Sequence, residues 1–389
     1  MGSGGAGRYS TMRFLAWTLV GLVAAGSMAA GEVPAALKRE WPRTDFNRAT
    51  VSLAEIQPGG PPKDGIPAID RPRFESFPSA DRWLYPREPV IALEIAGDAR
   101  AYPLQILIYH EIVNDQVGGR PVAVTFCPLC NASIVFDRRV KDRLLDFGTT
   151  GRLRKSDLVM YDRQTESWWQ QFTGEAIVGH YAGTVLRQIP SGIVAYEDFK
   201  RAHPRGQVLS RETGFSRPYG INPYRGYDRI DEIPFLFAET PDPRLPAMER
   251  VLNVSVGGRH RLYPLAELEK TPVVNDTLAG EPFVVFSSGG LLSPLDEGII
   301  TSSRTIRAAA AYSRRVGGRV LTFEAAGDGF ADQETGSRWN LLGQAVGGPL
   351  EGTRLELLSG GVHFAFAWLA FNPDSEIYRA DGEQRVKGR

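Results

Sequence analysis

A mainly β fold, β-rich with short helices and built from two tandem, internally duplicated units, is what this sequence predicts. Three observations carry that prediction. The 389 residues include 42 glycines and 27 prolines, a density of turn formers that suits many short strands better than long helices. Short apolar runs are separated by turn pairs such as Gly97-Asp98 and Gly118-Gly119. A set of motifs also occurs twice in the same order. Gly97-Asp98-Ala99-Arg100-Ala101-Tyr102-Pro103-Leu104 corresponds to Gly258-Arg259-His260-Arg261-Leu262-Tyr263-Pro264-Leu265, and Val113-Asn114-Asp115 to Val274-Asn275-Asp276. Further on, Asp162, Thr165, Ser167 and Trp169 correspond to Asp332, Thr335, Ser337 and Trp339. Two copies fall short of a solenoid, so two similar units packed together are expected.

The chain opens with Arg8 and Arg13, an apolar stretch from Phe14 to Ala25, and small residues at Ser27 and Ala29. Residues 1–30 therefore read as a secretory signal, which places the mature protein in the periplasm or outside the cell. The apolar stretch is shorter than the roughly 20 residues of a secure membrane span, and no span is expected after cleavage. Residues 31–87 read as an irregular, Pro-rich arm. The first unit follows at 88–214, an ordered linker at 215–246, the second, degenerate unit at 247–379, and a polar tail at 380–389. A formal net charge of zero without a run of Lys or Arg argues against nucleic acid as a partner.

Within the first unit, residues 90–95 and 100–102 form a hairpin turning at Gly97-Asp98. Pro103 opens a short helical stretch. The second unit carries Pro272 where the first has Glu111, so this helix ends there. A strand at 112–117 turns at Gly118-Gly119 into its partner at 122–126. Strands at 133–139 and 143–147 lead to a glycine loop at 147–151, and 192–203 reads as a short helix.

The only two cysteines are Cys127 and Cys130, in Cys127-Pro128-Leu129-Cys130 at the end of the 122–126 run. A two-residue turn at Gly118-Gly119 pairs residues whose numbers sum to a constant, which sets His110 opposite Cys127 at a Cβ separation of about 5 Å. The second unit has Thr271, Ser287 and Gly290 as the counterparts of His110, Cys127 and Cys130. Scaffold motifs persist there while all three candidate ligands are lost together, which ties the three to one site. Two thiolates and an imidazole with an open fourth position suit zinc or copper, with Met160 as an additional thioether ligand to copper. A zinc ion there would lower the pKa of a bound water. Asp162 is a candidate general base or hydrogen-bond partner to His110, although its counterpart Asp332 survives in the unit without cysteines, which equally fits a structural role. A thiol–disulfide exchange site is the rival for the cysteine pair, and a plain disulfide a third reading. His180, His203, His260 and His363 read as surface or turn residues.

The strings His110-Glu111-Ile112-Val113-Asn114-Asp115, Thr125-Phe126-Cys127-Pro128-Leu129-Cys130, Phe147-Gly148-Thr149-Thr150-Gly151 and Met160-Tyr161-Asp162-Arg163-Gln164-Thr165 resemble an uncharacterised family of exported bacterial and archaeal proteins. The family is known only as a domain of unknown function. The likeness continues through Trp169, Gly174-Glu175-Ala176-Ile177 and Arg217-Pro218-Tyr219-Gly220. Asn131 departs from the glycine expected after the second cysteine, a change that stiffens or reshapes the turn. The resemblance brings no activity with it. The residues themselves point to a metal-dependent redox or hydrolytic site of Cys127, Cys130 and His110 acting on a small molecule. A metal-free thiol–disulfide oxidoreductase, or a non-enzymatic metal carrier served by a metal donor, are the alternatives.

Overall fold

The computed structural model describes residues 33–358 and 361–380. Residues 1–30, expected to be a secretory signal, and residues 381–389 of the expected tail lie outside the described residues. Ala35–Glu40 is a short helix, and the described residues from Trp41 onward form one compact unit. With 41% strand and 12% helix, the fold is mainly β, organised in several antiparallel sheets. Among the described residues, no helix is long and apolar enough to cross a membrane.

The hairpin Pro89–Ile95 and Asp98–Pro103 lies in a sheet with Gly192–Ala195 on one side and Gln207–Leu209, parallel, on the other. Arg250–Val256 and Arg259–Pro264 pair in the same way with Val362–Phe364 and, again parallel, Glu376–Ile377. The meander Ile112–Val117, Arg120–Cys127 and Ala132–Asp137 is matched by Val273–Leu278, Glu281–Leu292 and Thr305–Ser313. A third sheet runs Phe147–Arg154, Asp157–Asp162, Trp168–Gln170 and Ala176–Val178. Its second-half equivalent is Phe323–Ala326, Gly329–Asp332, Arg338–Trp339 and Ala345–Gly347, with a register shift at the same place, before Trp169 in one and Trp339 in the other.

The repeated motif residues are the ties between these sheets. Asn114 accepts from the Phe147 N–H at 2.9 Å and donates to its carbonyl at 2.8 Å; Asn275 does the same to Phe323 at 2.9 and 2.7 Å. Tyr102 donates to Asp115 at 2.6 Å and Tyr263 to Asp276 at 2.7 Å. Asp162 accepts from the Thr165 N–H and hydroxyl and from the Trp169 indole, and Asp332 from Thr335 and Trp339 in the same pattern. Buried side chains of both halves contribute to shared apolar cores, for example Cys127, Met160 and Phe172 with Met248, Phe364 and Trp368.

Two local expectations need correction. Residues 147–151 are not a loop but the start of a bulged strand. Its glycines are required by close approach: a Cβ on Gly151, at φ +72, would stand 2.0 Å from the Pro61 carbonyl oxygen. The arm also contributes Ile56–Pro58 as an edge strand beside Phe147–Arg154. Residues 192–203 divide into a strand, Gly192–Ala195, and a helix, Tyr196–Ala202, because 192–195 completes the first sheet.

Replacing the buried Asp332 by Ala leaves the Trp339 indole N–H buried without its acceptor, a loss of about 1–3 kcal/mol. Urea unfolding of Asp332→Ala should show that drop with an unchanged slope; a midpoint equal to that of the unsubstituted protein would refute the tie.

Candidate metal centre

The apolar strand Arg120–Cys127 is buried along nearly its whole length and delivers Cys127 to the interior. Pro128 opens a single 3-10 turn, Pro128–Cys130, and Asn131 closes it in the left-handed region at φ 49. This explains the residue at that position: glycine takes such a backbone freely, and asparagine is among the side chains that tolerate it best. Cys127 and Ala132 then face each other across the next strand pair. Both thiols are buried, Cys127 1% and Cys130 0% exposed.

The third member of the group is Asp157. The hairpin from Phe147–Arg154 to Asp157–Asp162 turns on Lys155 and Ser156, both at positive φ, as the tightest two-residue turns require. That turn sets Asp157 at the start of the return strand, fully buried. Its Oδ2 accepts from the Gln170 amide at 2.6 Å and the Phe172 N–H at 2.9 Å, and its Oδ1 has no hydrogen-bond partner. One ligand atom each from Cys127, Cys130 and Asp157 lie within 4.8 Å of one another. The Cys130 thiol also points to the Ser156 carbonyl at 3.6 Å.

Burial dominates the electrostatics. It pushes both thiols up, Cys130 furthest, and raises the Asp157 carboxyl to about 7. Glu111, also buried, is raised to about 8 by desolvation and then by the charge of Asp157. The linker covers the turn: the Tyr227 hydroxyl donates to the Leu129 carbonyl at 3.2 Å, and Tyr224 packs against the same core. The basic residues beside the hairpin are paired, Arg154 with Glu55, Lys155 with Glu239 and Arg163 with Asp70.

His110, expected opposite Cys127, is placed elsewhere. The register does sum to 237 from Ile112↔Thr125 to Val117↔Arg120. At Glu111, however, the backbone turns to φ 56, and the ladder ends with the Phe126 N–H on the Glu111 carbonyl. His110 is buried, with Nδ1 at 2.7 Å from the Pro67 carbonyl and Nε2 at 2.6 Å from the Tyr219 hydroxyl. Both ring nitrogens are thus engaged outside the cysteine cluster. Met160 is a buried strand residue facing Thr149 and Trp169 across the sheet, in the same apolar core as the cysteines. Asp162 has its oxygens taken by Thr165 and Trp169.

The second half sharpens the contrast. The Ser287 N–H bonds the Pro272 carbonyl as Phe126 bonds Glu111, so the counterpart of Cys127 is Ser288 rather than Ser287, and that of Glu111 is Pro272. The second hairpin, Phe323–Ala326 with Gly329–Asp332, is shorter than the first. Counting back five residues from the shared Asp162/Asp332 position gives Asp157 in one half and Gly327 in the other. That extension is the sequence signal that marks Asp157.

Stability of chelator-treated protein should carry the signature of these acids. Their folded pKa values lie above the unfolded ones, so their contribution is full at low pH and is lost as pH rises through about 7 for Asp157 and about 8 for Glu111. Buried His110 and His363, lowered to about 4 and about 3, act in the opposite sense, but only below the ordinary histidine range. Between about pH 6.5 and 8 the urea midpoint should therefore fall, and Glu111→Gln should flatten the slope. A wild-type midpoint that rises across this window would contradict the burial of both carboxyls.

No curated protein and no solved structure matches the chain. Residues 63–375, most of its length, match the family described as a protein of unknown function, DUF3179, and the chain belongs to that family.

Proposed function

We propose that this is an exported metal-binding protein in which Cys127, Cys130 and Asp157 hold a zinc ion for hydrolytic chemistry on a small molecule. The observation that carries the reading is the convergence of three ligand atoms, all from buried residues, within 4.8 Å of one another. Two sulfurs and one carboxylate oxygen form a mixed donor set. Zinc accepts both kinds of donor in a four-coordinate site, whereas Cu(I) favours soft sulfur throughout, so zinc is preferred to copper. Three protein ligands leave a fourth position open, the arrangement of catalytic rather than purely structural zinc sites. Glu111, whose charge is coupled to that of Asp157, is the further buried carboxyl available for proton transfer, and it holds its proton at neutral pH. Binding replaces the protons that burial holds on the thiols and on Asp157, so affinity rises with pH. Full burial of all three ligands favours a resident ion over a cargo ion in passage.

The proximity of the two thiols supports a second reading, dithiol–disulfide exchange. Both thiols are buried with their pKa values raised, the reverse of the exposed, acidified thiol that exchange requires. The recurrent strand order of the two halves fits a duplicated ancestor in which only the first half carries the centre.

Elemental analysis of protein purified from its native compartment should give one zinc per chain, lost in Cys127→Ser. Asp157→Asn should weaken the site by at least about tenfold in a chelator competition. Protein that takes up no stoichiometric metal after reduction and reconstitution, and that carries an intact reducible disulfide, would refute the metal reading in favour of exchange.

A further inference from the structure

A cavity of about 290 Å³ lies where the first half's strands Ala132–Asp137 and Gln188–Ile189 meet Val362–Phe364 and the helix Ala365–Phe371 of the second. None of its lining residues is Asp, Glu, Lys or Arg. Its polar wall includes Asn253, Ser255, Asn372 and the imidazoles of His260 and His363 from the second half and Gln188 from the first, and its apolar wall includes Phe172 and Trp368. Contrary to the sequence expectation of a surface or turn residue, His363 is 2% exposed. It is packed between Phe172, at 4.9 Å, and Trp368, at 5.6 Å. Its Nε2 lies 3.0 Å from Asn253 Oδ1, and its Nδ1 has no partner. His260 shares Nδ1 with the Ser255 hydroxyl at 2.8 Å. Burial lowers both histidines' pKa values, so both rings are neutral at physiological pH.

The strand registers give an internal comparison. Asn253, His260 and His363 occupy the places that Ala92, Ala99 and Val194 hold in the first half. Three small or apolar side chains of the scaffold are thus replaced, at this one cavity, by an amide and two imidazoles. The first half builds a sheet of the same strand order without them; in the second, Asn253 Oδ1 also accepts from the Gly361 N–H at 2.7 Å. A buried imidazole with an unpaired nitrogen is a destabilising feature that native cores rarely keep without a use.

We propose that this cavity is a binding site for a small, uncharged, hydroxyl-rich ligand of the size and character of a single monosaccharide ring. Its volume sits at the low end of the roughly 300–1,000 Å³ of small-molecule pockets, which limits it to one ring. The lining selects against charge, because a carboxylate or ammonium brought into it loses its hydration and meets no counter-ion. Hydroxyls, in contrast, exchange water for amide, hydroxyl and imidazole partners. Aromatic walls offer the apolar face that such a ring also presents. None of the three candidate ligands lines this cavity; Phe172 links the two places, lining the cavity while its N–H holds Asp157.

Calorimetric titration of the full mature chain tests this with D-glucose and N-acetyl-D-glucosamine as neutral probes, and with D-glucuronate and D-glucosamine as their charged counterparts. At least one neutral probe should bind saturably at millimolar concentration or below, with each charged counterpart weaker by about tenfold or more. His363→Val and Asn253→Ala, which restore the first half's residues, should each weaken binding by about tenfold; the half-buried His260→Ala provides a variant that tests the wall without disturbing the core. Absence of saturation by both neutral probes, equal binding of charged and neutral rings, or unchanged affinity in a folded His260→Ala and Asn253→Ala would overturn the proposal.

Discussion

Two thiols and two carboxyls are buried together in the first half with neutral hydrogen-bond partners, and this desolvation governs the chemistry of the site. An amide from Gln170 and a backbone N–H from Phe172 steady Asp157 without supplying the full charge that would ionise it cheaply. In that setting the acids keep their protons. A cation that enters must displace them, and in return it receives the counter-charges that the protein itself does not provide. The same desolvation makes the thiols poor nucleophiles, so one physical term both favours metal and disfavours disulfide exchange.

The scaffold that enforces this burial is tied by a few side-chain-to-backbone bonds used twice. Asn114 and Asn275 each close a donor–acceptor pair on a strand of the neighbouring sheet, and Asp162 and Asp332 each gather a tight turn and an indole. Because these ties persist in both halves, the residues that differ between the halves can vary without altering the fold. Two sets do so. The acids and thiols belong to the first half, and the imidazoles around the cavity belong to the second. The two halves thus differ at two separate places on a recurring strand order.

Much of the architecture was legible in the chain. Turn pairs and short apolar runs marked the hairpins, and the Gly118-Gly119 turn gave the register of the central pair, which holds from Ile112 to Val117. The repeated motifs marked framework residues and set a structural role beside the candidate base role of Asp162; its bonds to Thr165 and Trp169 are what the structure adds. The cysteines were evident from their rarity. What misled was the extension of a correct register by two residues, to His110. A strand pairing rule holds only while the backbone stays extended, and Glu111 leaves that region.

The sequence by itself determined a mainly β chain, its repeated framework residues, and a cysteine pair confined to the first half, because local periodicity and recurrence are written in residue order. Only the tertiary structure decided the pair's companion. Asp157 reaches Cys127 and Cys130 across the fold, at the end of a hairpin whose extra length is visible in the spacing of the repeat but does not say what it meets. His110 and Met160, nearer in the first reading, are held by bonds to Pro67 and Tyr219 and by strand packing. Which side chains converge in a core depends on where separate sheets meet, and that depends on packing over the whole chain.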